Sequence, residues 1–479
     1  MKRSLTAAFL LALAALAPAQ DASQIEFRDF TGPDGKVIQA AVVDKNDTAV
    51  ILALANGKRT TVPLDKLSPA DQEYVTGWNK EKALFLQKCR NLPIRQMLEL
   101  RGYEPFPFTF ESNSIFMKGK LNGTPGKFLI DTGAGTSVIH IPFAQKAKCE
   151  VGPLDEVIRG VAGEAKAGWC DVPTISFGEA VFKGRKILAT DLANGLPDGQ
   201  QPSEDAILGA DVMSQLDAVI SYPDRLIFLR PDKSDEAAVA GAAEAKEGDE
   251  AMSFRIFKTK ENQTYRGNVV SKTTNVVTLK LVGGKTEQIP VAKLVPADAE
   301  YVANWSEAGA IFLNHCGSLT IQEVLELRKY QSFQYERRGN HIFVDGTLND
   351  NKVTYMIDTG ADGTSLDVDA AKKYGCDVGP MDQWVYGIGG KAPAAITTIH
   401  KLTMGDAVMT NRKILSCDLI RGTGVEDYVG LFGADFMREL EAVITYRENR
   451  IFLIQRKMVA AGTEPEKKGG GSKLDDKKK

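Results

Sequence analysis

The sequence predicts a mainly β chain that is built twice, and three observations support this. The tripeptide Asp131-Thr132-Gly133 recurs as Asp358-Thr359-Gly360, 227 residues later (358 − 131). Three apolar residues precede each copy, as where a strand enters a core, and the glycine lets the backbone turn sharply at the strand end. Elsewhere, short alternating runs are separated by turn pairs such as Asn56-Gly57, a pattern typical of strands joined by tight turns.

The duplication extends over most of the chain. Five further pairs share the 227-residue offset: Phe27 and Phe254, Trp78 and Trp305, Cys89 and Cys316, Cys149 and Cys376, and Gly178 and Gly405. Ile207-Leu208-Gly209 matches Leu431-Phe432-Gly433 at an offset of 224 (433 − 209), so the second copy lacks three residues before that point. Because this period is far too long for a stacked solenoid repeat, each copy is expected to hold complete domains.

Length and composition indicate a globular protein of about three or four domains, by the usual domain size. The 479 residues are 43% hydrophobic, which suffices for packed cores, and the formal net charge is only −3. Acids and bases are intermixed, and no basic patch favours DNA or RNA. We therefore expect no nucleic-acid partner.

The N-terminus has the pattern of a cleavable secretory signal peptide, predicted at residues 1–19. Met1-Lys2-Arg3 is followed by an apolar stretch from Leu5 to Leu16 and then by Ala17-Pro18-Ala19. This order is typical of export signals, and the apolar stretch is too short to span a bilayer. We expect a soluble product, exported to the periplasm or the extracellular space, with no membrane association after signal cleavage.

Composition also marks segments between and beyond the predicted domains. These are helical connectors at 83–107 and 310–334, a charged linker at 232–252 and a disordered tail at 457–479. The linker and the tail are rich in charged and small residues, which bury too little apolar surface to fold.

Six cysteines suit an oxidising compartment, where an even number can pair completely. Because two of them recur at the 227-residue offset, the simplest pairing is one disulfide within each copy, Cys89–Cys149 and Cys316–Cys376. That pairing leaves Cys170 and Cys417 unpaired or joined across the copies. Buried thiols are the alternative, since cysteine is often a small core residue.

Each copy opens with strand-like runs that lead into a helix start, at residues 24–82 and 253–309. The first reads Val62-Pro63-Leu64-Asp65-Lys66-Leu67-Ser68-Pro69-Ala70-Asp71-Gln72-Glu73-Tyr74, in which serine caps the helix and proline takes its first position. The second copy has Val295 at the cap position. These segments resemble the SLA1-homology-1-like domain, a small SH3-like β-barrel. The resemblance implies binding of short peptides, and a structural spacer is the alternative.

The two Asp-Thr-Gly copies indicate chemistry by paired carboxyls. Hydrolysis of a peptide bond by two acids needs carboxyls that share one proton, so that one activates water while the other donates to the scissile carbonyl. At about 3 Å and an effective dielectric near 20, two negative charges repel by roughly 5 kcal/mol. The two acids cannot both ionise near neutral pH and would titrate as a pair.

Each tripeptide has an apolar run before it, a glycine-rich hairpin after it and an apolar-apolar-Gly step further on. Together these features resemble the retropepsin-like aspartic proteases, and Ala134 and Ala361 after the tripeptides are typical of the retroviral type. The resemblance covers residues 108–231 and 335–456. It implies two β-barrel halves that each place one acid at a two-fold axis. With the two small SH3-like barrels that the other resemblance implies and the short linking helices, the predicted fold is mainly β.

The resemblance also implies the site residues. The catalytic positions would be Asp131, Thr132, Gly133, Asp358, Thr359 and Gly360, with the threonines cross-bonded at the loop bases. The flaps over the substrate would contain Gly160, Val161, Gly163, Gly387, Ile388, Gly389 and Gly390. Glycine permits close approach and large dihedral change, so such hairpins would fold over an extended peptide or protein substrate. The first flap has one glycine fewer and more charge, which suits an asymmetric peptide or marks a copy drifting from use.

Two alternatives stay open at this point. The chain could be a non-catalytic peptide-binding protein that uses a protease-fold groove presented by SH3-like modules. It could also be active only as an intermolecular homodimer. A monomeric pseudo-dimer is favoured because tethering raises the effective concentration of one half near the other.

Other chemistries have weaker support. Each histidine lacks a histidine at the equivalent position of the other copy, so they show no repeated role: His140, His315, His341 and His400. No metal-ligand spacing is present, and neither a metal nor a cofactor is expected. Ser137 and Ser365 lack the Gly-x-Ser-x-Gly elbow of serine hydrolases, and we expect them to form hydrogen bonds near the Asp loops.

Overall fold

The computed structural model describes residues 27–32, 35–178, 180–194, 196, 199–230, 255–420 and 427–454. The predicted signal peptide, charged linker and C-terminal tail lie outside these residues. Strand residues (47%) outnumber helical residues (21%), so the predicted mainly β class is confirmed. No helix within the described ranges is long and apolar enough to cross a membrane.

The chain forms two compact units. Of the described residues, the first unit comprises those up to Asn91 together with Ala310–Ser318, and the second comprises those within Leu92–Gly309 and from Leu319 onward. The second unit contains both Asp-Thr-Gly copies, and we name its two related parts half 1 (residues 104–229) and half 2 (residues 331–453).

The first unit contains an antiparallel sheet whose four strands pair in chain order. Its elements are β1 (Arg28–Thr31), β2 (Val37–Lys45), β3 (Ala49–Leu54), β4 (Arg59–Pro63), a 3-10 turn (Leu64–Lys66), α1 (Pro69–Gly77), α2 (Lys80–Leu84) and a π-helical turn (Phe85–Cys89). Inward-facing Phe30, Val50 and Leu52 pack with Val75 of α1 to form its core. The SH3-like identity of this segment stays a prediction.

Helix α1 is held at its start by side chains. Ser68 accepts a hydrogen bond from the Asp71 N–H at 3.3 Å, which satisfies one of the backbone donors left open at a helix N-terminus. Asp71 is buried and accepts from the Thr31 N–H at 2.8 Å and from the Arg28 guanidinium at 2.7 Å. The carboxylate therefore fixes the start of the helix to β1.

In half 1, Asp131 directly follows the end of a buried strand. Its elements, preceded by α3 (Ile94–Glu99), are β5 (Glu104–Glu111), β6 (Ser114–Leu121), β7 (Thr124–Ile130), β8 (Val138–His140), α4 (Ile141–Lys146), β9 (Glu156–Gly160), β10 (Gly163–Phe177), β11 (Ala180–Thr190), β12 (Ala206–Leu208), α5 (Ala210–Gln215), β13 (Val219–Ser221) and β14 (Leu226–Leu229). Strand β7 ends in buried Phe128, Leu129 and Ile130 and pairs in parallel with β12. Strand β5 begins inside the predicted 83–107 connector, since Phe106 is buried in the core.

A second four-stranded antiparallel sheet precedes half 2. Its elements are β15 (Arg255–Lys258), β16 (Thr264–Lys272), β17 (Val276–Leu281), β18 (Thr286–Pro290), a 3-10 turn (Val291–Lys293) and α6 (Pro296–Asn304), followed by α7 (Glu307–His315) and α8 (Ile321–Leu327). Asp298 repeats the role of Asp71, accepting from the Arg255 guanidinium at 2.7 Å and the Lys258 N–H at 2.8 Å. Val295 provides no side-chain cap for α6.

Half 2 repeats the order of half 1. Its elements are β19 (Gln331–Gln334), β20 (Glu336–Arg338), β21 (His341–Leu348), β22 (Asn351–Ile357), β23 (Ser365–Asp367), α9 (Val368–Lys373), β24 (Asp377–Val378), β25 (Gln383–Gly387), β26 (Gly390–Met404), β27 (Ala407–Cys417), β28 (Gly430–Phe432), α10 (Ala434–Glu439), β29 (Val443–Thr445) and β30 (Arg450–Leu453). Strand β22 ends at Ile357, directly before Asp358.

The two halves meet through a shared sheet. Strand β13 of half 1 pairs antiparallel with β29 of half 2, with Ile220 opposite Ile444. Both isoleucines are fully buried and belong to one hydrophobic cluster that contains residues of both halves. Because burial of apolar surface is the main favourable term in folding, this sheet joins the halves into one folded body.

The disulfide pairing predicted within each copy is wrong. All six cysteines are thiols, and the thiols that come within hydrogen-bond reach are Cys89 with Cys316 and Cys149 with Cys170. Cys149 lies close in sequence to Val151, which forms a β-bridge to Cys170. The repeat offset identifies equivalent positions, and equivalent positions in a duplicated chain need not be partners.

Candidate active site

The two acids occupy equivalent strand ends. The Asp131 N–H donates to the Leu208 carbonyl at 3.0 Å, and the Asp358 N–H donates to the Phe432 carbonyl at 3.0 Å. Leu208 and Phe432 end the strands of the predicted apolar-apolar-Gly steps. Each apolar-apolar-Gly segment therefore holds the backbone of one acid in place where the strand before that acid ends and its loop begins.

Each carboxylate is oriented by its own loop. One oxygen of Asp131 accepts from the N–H groups of Gly133 and Ala134 at 2.8 and 2.9 Å. One oxygen of Asp358 accepts from Gly360 and Ala361, each at 3.0 Å. Two backbone donors therefore fix one oxygen of each carboxylate within its own loop.

The two carboxyls come within hydrogen-bond reach of each other. A Cβ at Gly133 would lie only 2.4 Å from Asp358 Cγ, and a Cβ at Gly360 would lie 2.4 Å from Asp131 Cγ. Glycine is thus required at both positions because any side chain there would occupy the space of the opposite acid.

This proximity changes the acidity of both groups. Burial raises the pKa of Asp131 well above its ordinary value, and the neighbouring Asp358 charge raises it further. Burial also raises the pKa of Asp358, while the hydrogen bond from Asp131 offsets part of that rise. The pair therefore keeps one proton to higher pH than an isolated carboxyl would.

Thr132 and Thr359 cross-link the bases of the two loops. The Thr132 N–H donates to Thr359 Oγ1 and the Thr359 N–H donates to Thr132 Oγ1, both at 3.1 Å. Each hydroxyl then donates to a carbonyl of the opposite half, Ile357 or Ile130, at 2.8 Å. Both threonines are fully buried, so these four bonds hold the acids at a fixed separation without solvent competition.

Side chains further along each loop bond to the start of a helix. Ser137 Oγ donates to Asp211 at 2.6 Å and accepts from the Gly209 N–H at 2.9 Å. In half 2 the same role falls to Thr364, whose hydroxyl donates to Asp435 at 2.8 Å. Ser365, the residue expected there from sequence, lies one position further along, within β23.

Sequence reasoning missed Asp211 and Asp435 as partners of these loops. Both follow the apolar-apolar-Gly steps at matching positions, and that recurrence was the available signal. It also missed Ser114, which donates from its hydroxyl to the Gly360 carbonyl at 3.0 Å and from its N–H to Asp362 at 3.0 Å. Ser114 contacts the loop of the opposite half, and no pattern local to its own segment indicates this.

The predicted flap residues form two hairpins whose tips meet. Strands β9 and β10 pair at Gly160 and Gly163, and β25 and β26 pair at Gly387 and Gly390. A Cβ at Gly160 would lie 2.7 Å from both Cβ and the carbonyl oxygen of Ile388. The hairpins therefore touch tip to tip and are packed closely only because of glycine.

Each flap tip packs into the apolar wall of the opposite half. Val161 of the first flap packs against a half 2 cluster that includes Phe343, Met356 and Leu431. Ile388 of the second flap packs against the half 1 cluster Phe116, Leu129, Val138 and Ile207. Each of these two apolar walls is thus completed by a flap residue of the other half.

Within the described ranges, no three His, Cys, Asp or Glu side chains converge to hold a metal ion.

Comparison with known proteins gives a match in each half. The family described as aspartyl protease matches residues 117–212 and 344–436. An EIAV protease complexed with the inhibitor HBY-793 is 28% identical over 21% of this chain and 86% of that chain, with a TM-score of 0.17. A retropepsin-like aspartic protease from Rickettsia conorii is 22% identical over 26% of this chain and 98% of that chain, with a TM-score of 0.21. The family model thus matches this chain twice, once within half 1 and once within half 2.

Proposed function

We propose that this chain is an exported aspartic endopeptidase that hydrolyses peptide bonds with a water molecule activated by Asp131 and Asp358. The observation that carries the proposal is the meeting of two carboxyls, one from each half, within hydrogen-bond reach of each other. The match of both halves to the aspartyl protease family supports the same class of reaction.

The geometry suggests the following course of reaction. With one proton on the pair, the ionised carboxyl takes a proton from water while the protonated carboxyl donates to the scissile carbonyl oxygen. The water oxygen bonds to the carbonyl carbon and forms a gem-diol. When the C–N bond breaks, the leaving nitrogen takes the proton of the protonated carboxyl, and one gem-diol hydroxyl gives its proton to the other carboxylate as the new carboxyl group forms. The pair ends with one shared proton and is ready for another cycle.

The flaps support a peptide substrate held in extended form. Closed over the acids, they would exclude bulk water and strengthen the electrostatic contacts of the carboxyl pair. The apolar walls completed by Val161 and Ile388 would take apolar side chains on either side of the scissile bond.

The decisive test is cleavage of a diverse peptide pool by the purified chain from pH 3 to 8, with and without a statine-type inhibitor, read by mass spectrometry. In H₂¹⁸O, each new C-terminus should gain one ¹⁸O, as direct attack by water requires. Asp131→Asn and Asp358→Asn should each abolish cleavage, whereas Asp155→Asn on the exposed surface should cleave like wild type. Absence of cleavage by wild type at every pH, or full cleavage by either active-site variant, would refute the proposal.

We also propose that the active form is a single-chain pseudo-dimer. The cross-bonded threonines and the pairing of β13 with β29 join the halves within one chain. If active sites instead formed between two chains, a mixture of Asp131→Asn and Asp358→Asn chains would contain restored sites. In such a site, one chain supplies an intact Asp131 and the other supplies an intact Asp358. We expect the mixture to stay inactive after refolding from denaturant, and the active wild type to have the mass of one chain.

Export rests on the signal-like pattern at residues 1–19. The N-terminus of the protein recovered from the producing cells should lie near Gln20, and a retained Met1 would contradict export. The SH3-like segments are proposed to bind peptides or to act as spacers. Deleting residues 24–82 and measuring cleavage of a folded protein against a short peptide separates these roles.

One observation favours a non-catalytic peptide-binding protein. The first flap carries an Arg159–Glu164 ion pair at 2.9 Å, beside a tip that has one glycine fewer than the second flap. A chain that binds the pool peptides and the statine compound but leaves every peptide intact would establish this alternative.

A further inference from the structure

The two halves differ at one equivalent position that lies against the opposite Asp loop. Ser114 and His341 are related by the repeat offset (341 − 114 = 227) and begin the equivalent strands β6 and β21. The Ser114 hydroxyl contacts two acceptors of the Asp358 loop, the Gly360 carbonyl at 3.0 Å and the Asp362 carboxylate. The His341 ring faces the carbonyl of Gly133, which is the equivalent residue of the other loop. A neutral hydroxyl therefore supports one loop and a titratable imidazole supports the other.

Several contacts place His341 against the Asp131 loop. A Cβ at Gly135 would lie 3.1 Å from His341 Nε2, and the neighbouring Asn340 donates to the Gly135 carbonyl at 2.7 Å. His341 Nδ1 is buried and has no hydrogen-bond partner among the described residues. The nitrogen that faces the loop is therefore Nε2.

The charges around His341 are unequal on its two sides. Gly133, whose carbonyl the ring faces, lies against Asp358, since a Cβ at Gly133 would be 2.4 Å from Asp358 Cγ; the Asp358 charge accordingly acts on the ring. Arg338 lies opposite His341 in the β20–β21 hairpin and is paired with Glu336 at 2.9 Å. Asp131 belongs to the loop that the ring supports. A proton on His341 would thus add positive charge beside Asp358, whereas Ser114 can add none beside Asp131.

We infer that His341 is a positioning residue that places the shared proton of the carboxyl pair on Asp131 and leaves Asp358 ionised as the base toward water. The inference rests on the proposed function. The imidazole holds the Asp131 loop through Gly133, and its positive charge favours the anion of Asp358. When His341 is protonated, the two acids that the repeat makes equivalent therefore differ in their surroundings.

The charge of His341 restricts this effect to acidic solution. Burial lowers the pKa of His341, while the Gly133 carbonyl and the Asp358 charge oppose that fall. As pH falls the ring gains its proton, and the protonated ring makes it harder to protonate Asp358. The pair should therefore keep its single proton, rather than gain a second, further into the acid range.

The first test needs no activity. The chain has four histidines, so ¹³C-edited NMR titration with His341→Gln as the assignment variant isolates the His341 signal. We expect the pKa of His341 to fall in Asp358→Asn, because the anion beside the ring is lost, and not to fall in Asp131→Asn, where Asp358 remains ionised. Equal falls in the two variants, a larger fall in Asp131→Asn or no change in either would overturn the inference.

The second test uses the pH dependence of kcat/KM. The acid limb should move to higher pH in both His341→Gln and His341→Ser, whereas Ser114→Ala should leave its midpoint in place. A limb that stays at the wild-type pH in the two His341 variants would overturn the inference, even if their activity is lower overall. If wild type cleaves nothing at any pH, the proposed function fails, and the NMR titration still decides whether His341 distinguishes the acids.

Discussion

Thr132 and Thr359, 227 residues apart, each donate a backbone N–H to the other's hydroxyl at 3.1 Å in the fully buried base of the site. Thr132→Val keeps the side-chain shape and removes the hydroxyl. The Ile357 carbonyl then loses its donor and the Thr359 N–H loses its acceptor, at a cost of about 1–3 kcal/mol for each buried group left without a partner. Urea unfolding should show that the free energy of unfolding of Thr132→Val is lower than that of wild type.

Thr132→Ser is the matched control, because it retains the hydroxyl and removes only a methyl group. We expect it to unfold at a higher urea concentration than Thr132→Val. If the valine variant proves as stable as the serine variant, the cross-linking bonds contribute little to the joining of the halves.

A second prediction concerns flap closure. A Cβ at Gly387 would lie 2.7 Å from Val161 Cγ1, which Val161→Ala removes, whereas a Cβ at Gly160 would meet the Cβ and the carbonyl oxygen of Ile388, which Ile388→Ala retains. Gly387→Ala should lower kcat/KM because it separates the flap tips, and adding Val161→Ala should restore much of the loss. Gly160→Ala should lower kcat/KM as well, and Ile388→Ala should not rescue it. Equal rescue in both pairs would show that the tips do not close in this way.

A third prediction follows from the raised pKa of Asp131. A group whose pKa is higher in the folded state contributes stability below its unfolded pKa and loses that contribution as pH rises through the folded pKa. Wild type should therefore lose stability relative to Asp131→Asn as pH rises from about 4, the ordinary value for an aspartate. Urea unfolding of both proteins at each pH unit from 4 to 8 measures the difference.

Asp155→Asn on the exposed surface serves as the control in that series and should track wild type. A constant difference between wild type and Asp131→Asn across the range would contradict a shared proton on the buried pair.

A fourth prediction uses the difference between the two helix starts. Ser68 caps α1, whereas Val295 leaves α6 without a side-chain cap. Val295→Ser should stabilise the second four-stranded sheet and its helix by about 1 kcal/mol, the usual value of an N-cap hydroxyl. The reverse change, Ser68→Val, should destabilise the first by a similar amount. Thermal unfolding of both variants measures the two effects, and shifts of the same sign would contradict the prediction.

The sequence alone determined the mainly β class, the duplication and the tripeptides that directly follow β7 and β22. These properties depend on local patterns: apolar runs that enter a core, glycines at sharp turns and a constant offset between equivalent residues. The same local patterns located the flap hairpins and the serine cap of α1. They also gave two wrong expectations, the disulfides within each copy and the assignment of Ser365 to the position that Thr364 occupies.

Only the tertiary structure decided which side chains meet across the two halves. The approach of Asp131 to Asp358, the contact of Ser114 with Gly360 and the placement of His341 at Gly133 join residues more than 200 positions apart. Such contacts depend on how β13 and β29 bring the halves together. A repeat in the sequence predicts that the two halves have the same backbone fold. Which side chains of one half contact the other half depends on how the two halves pack together, and the repeat does not predict this.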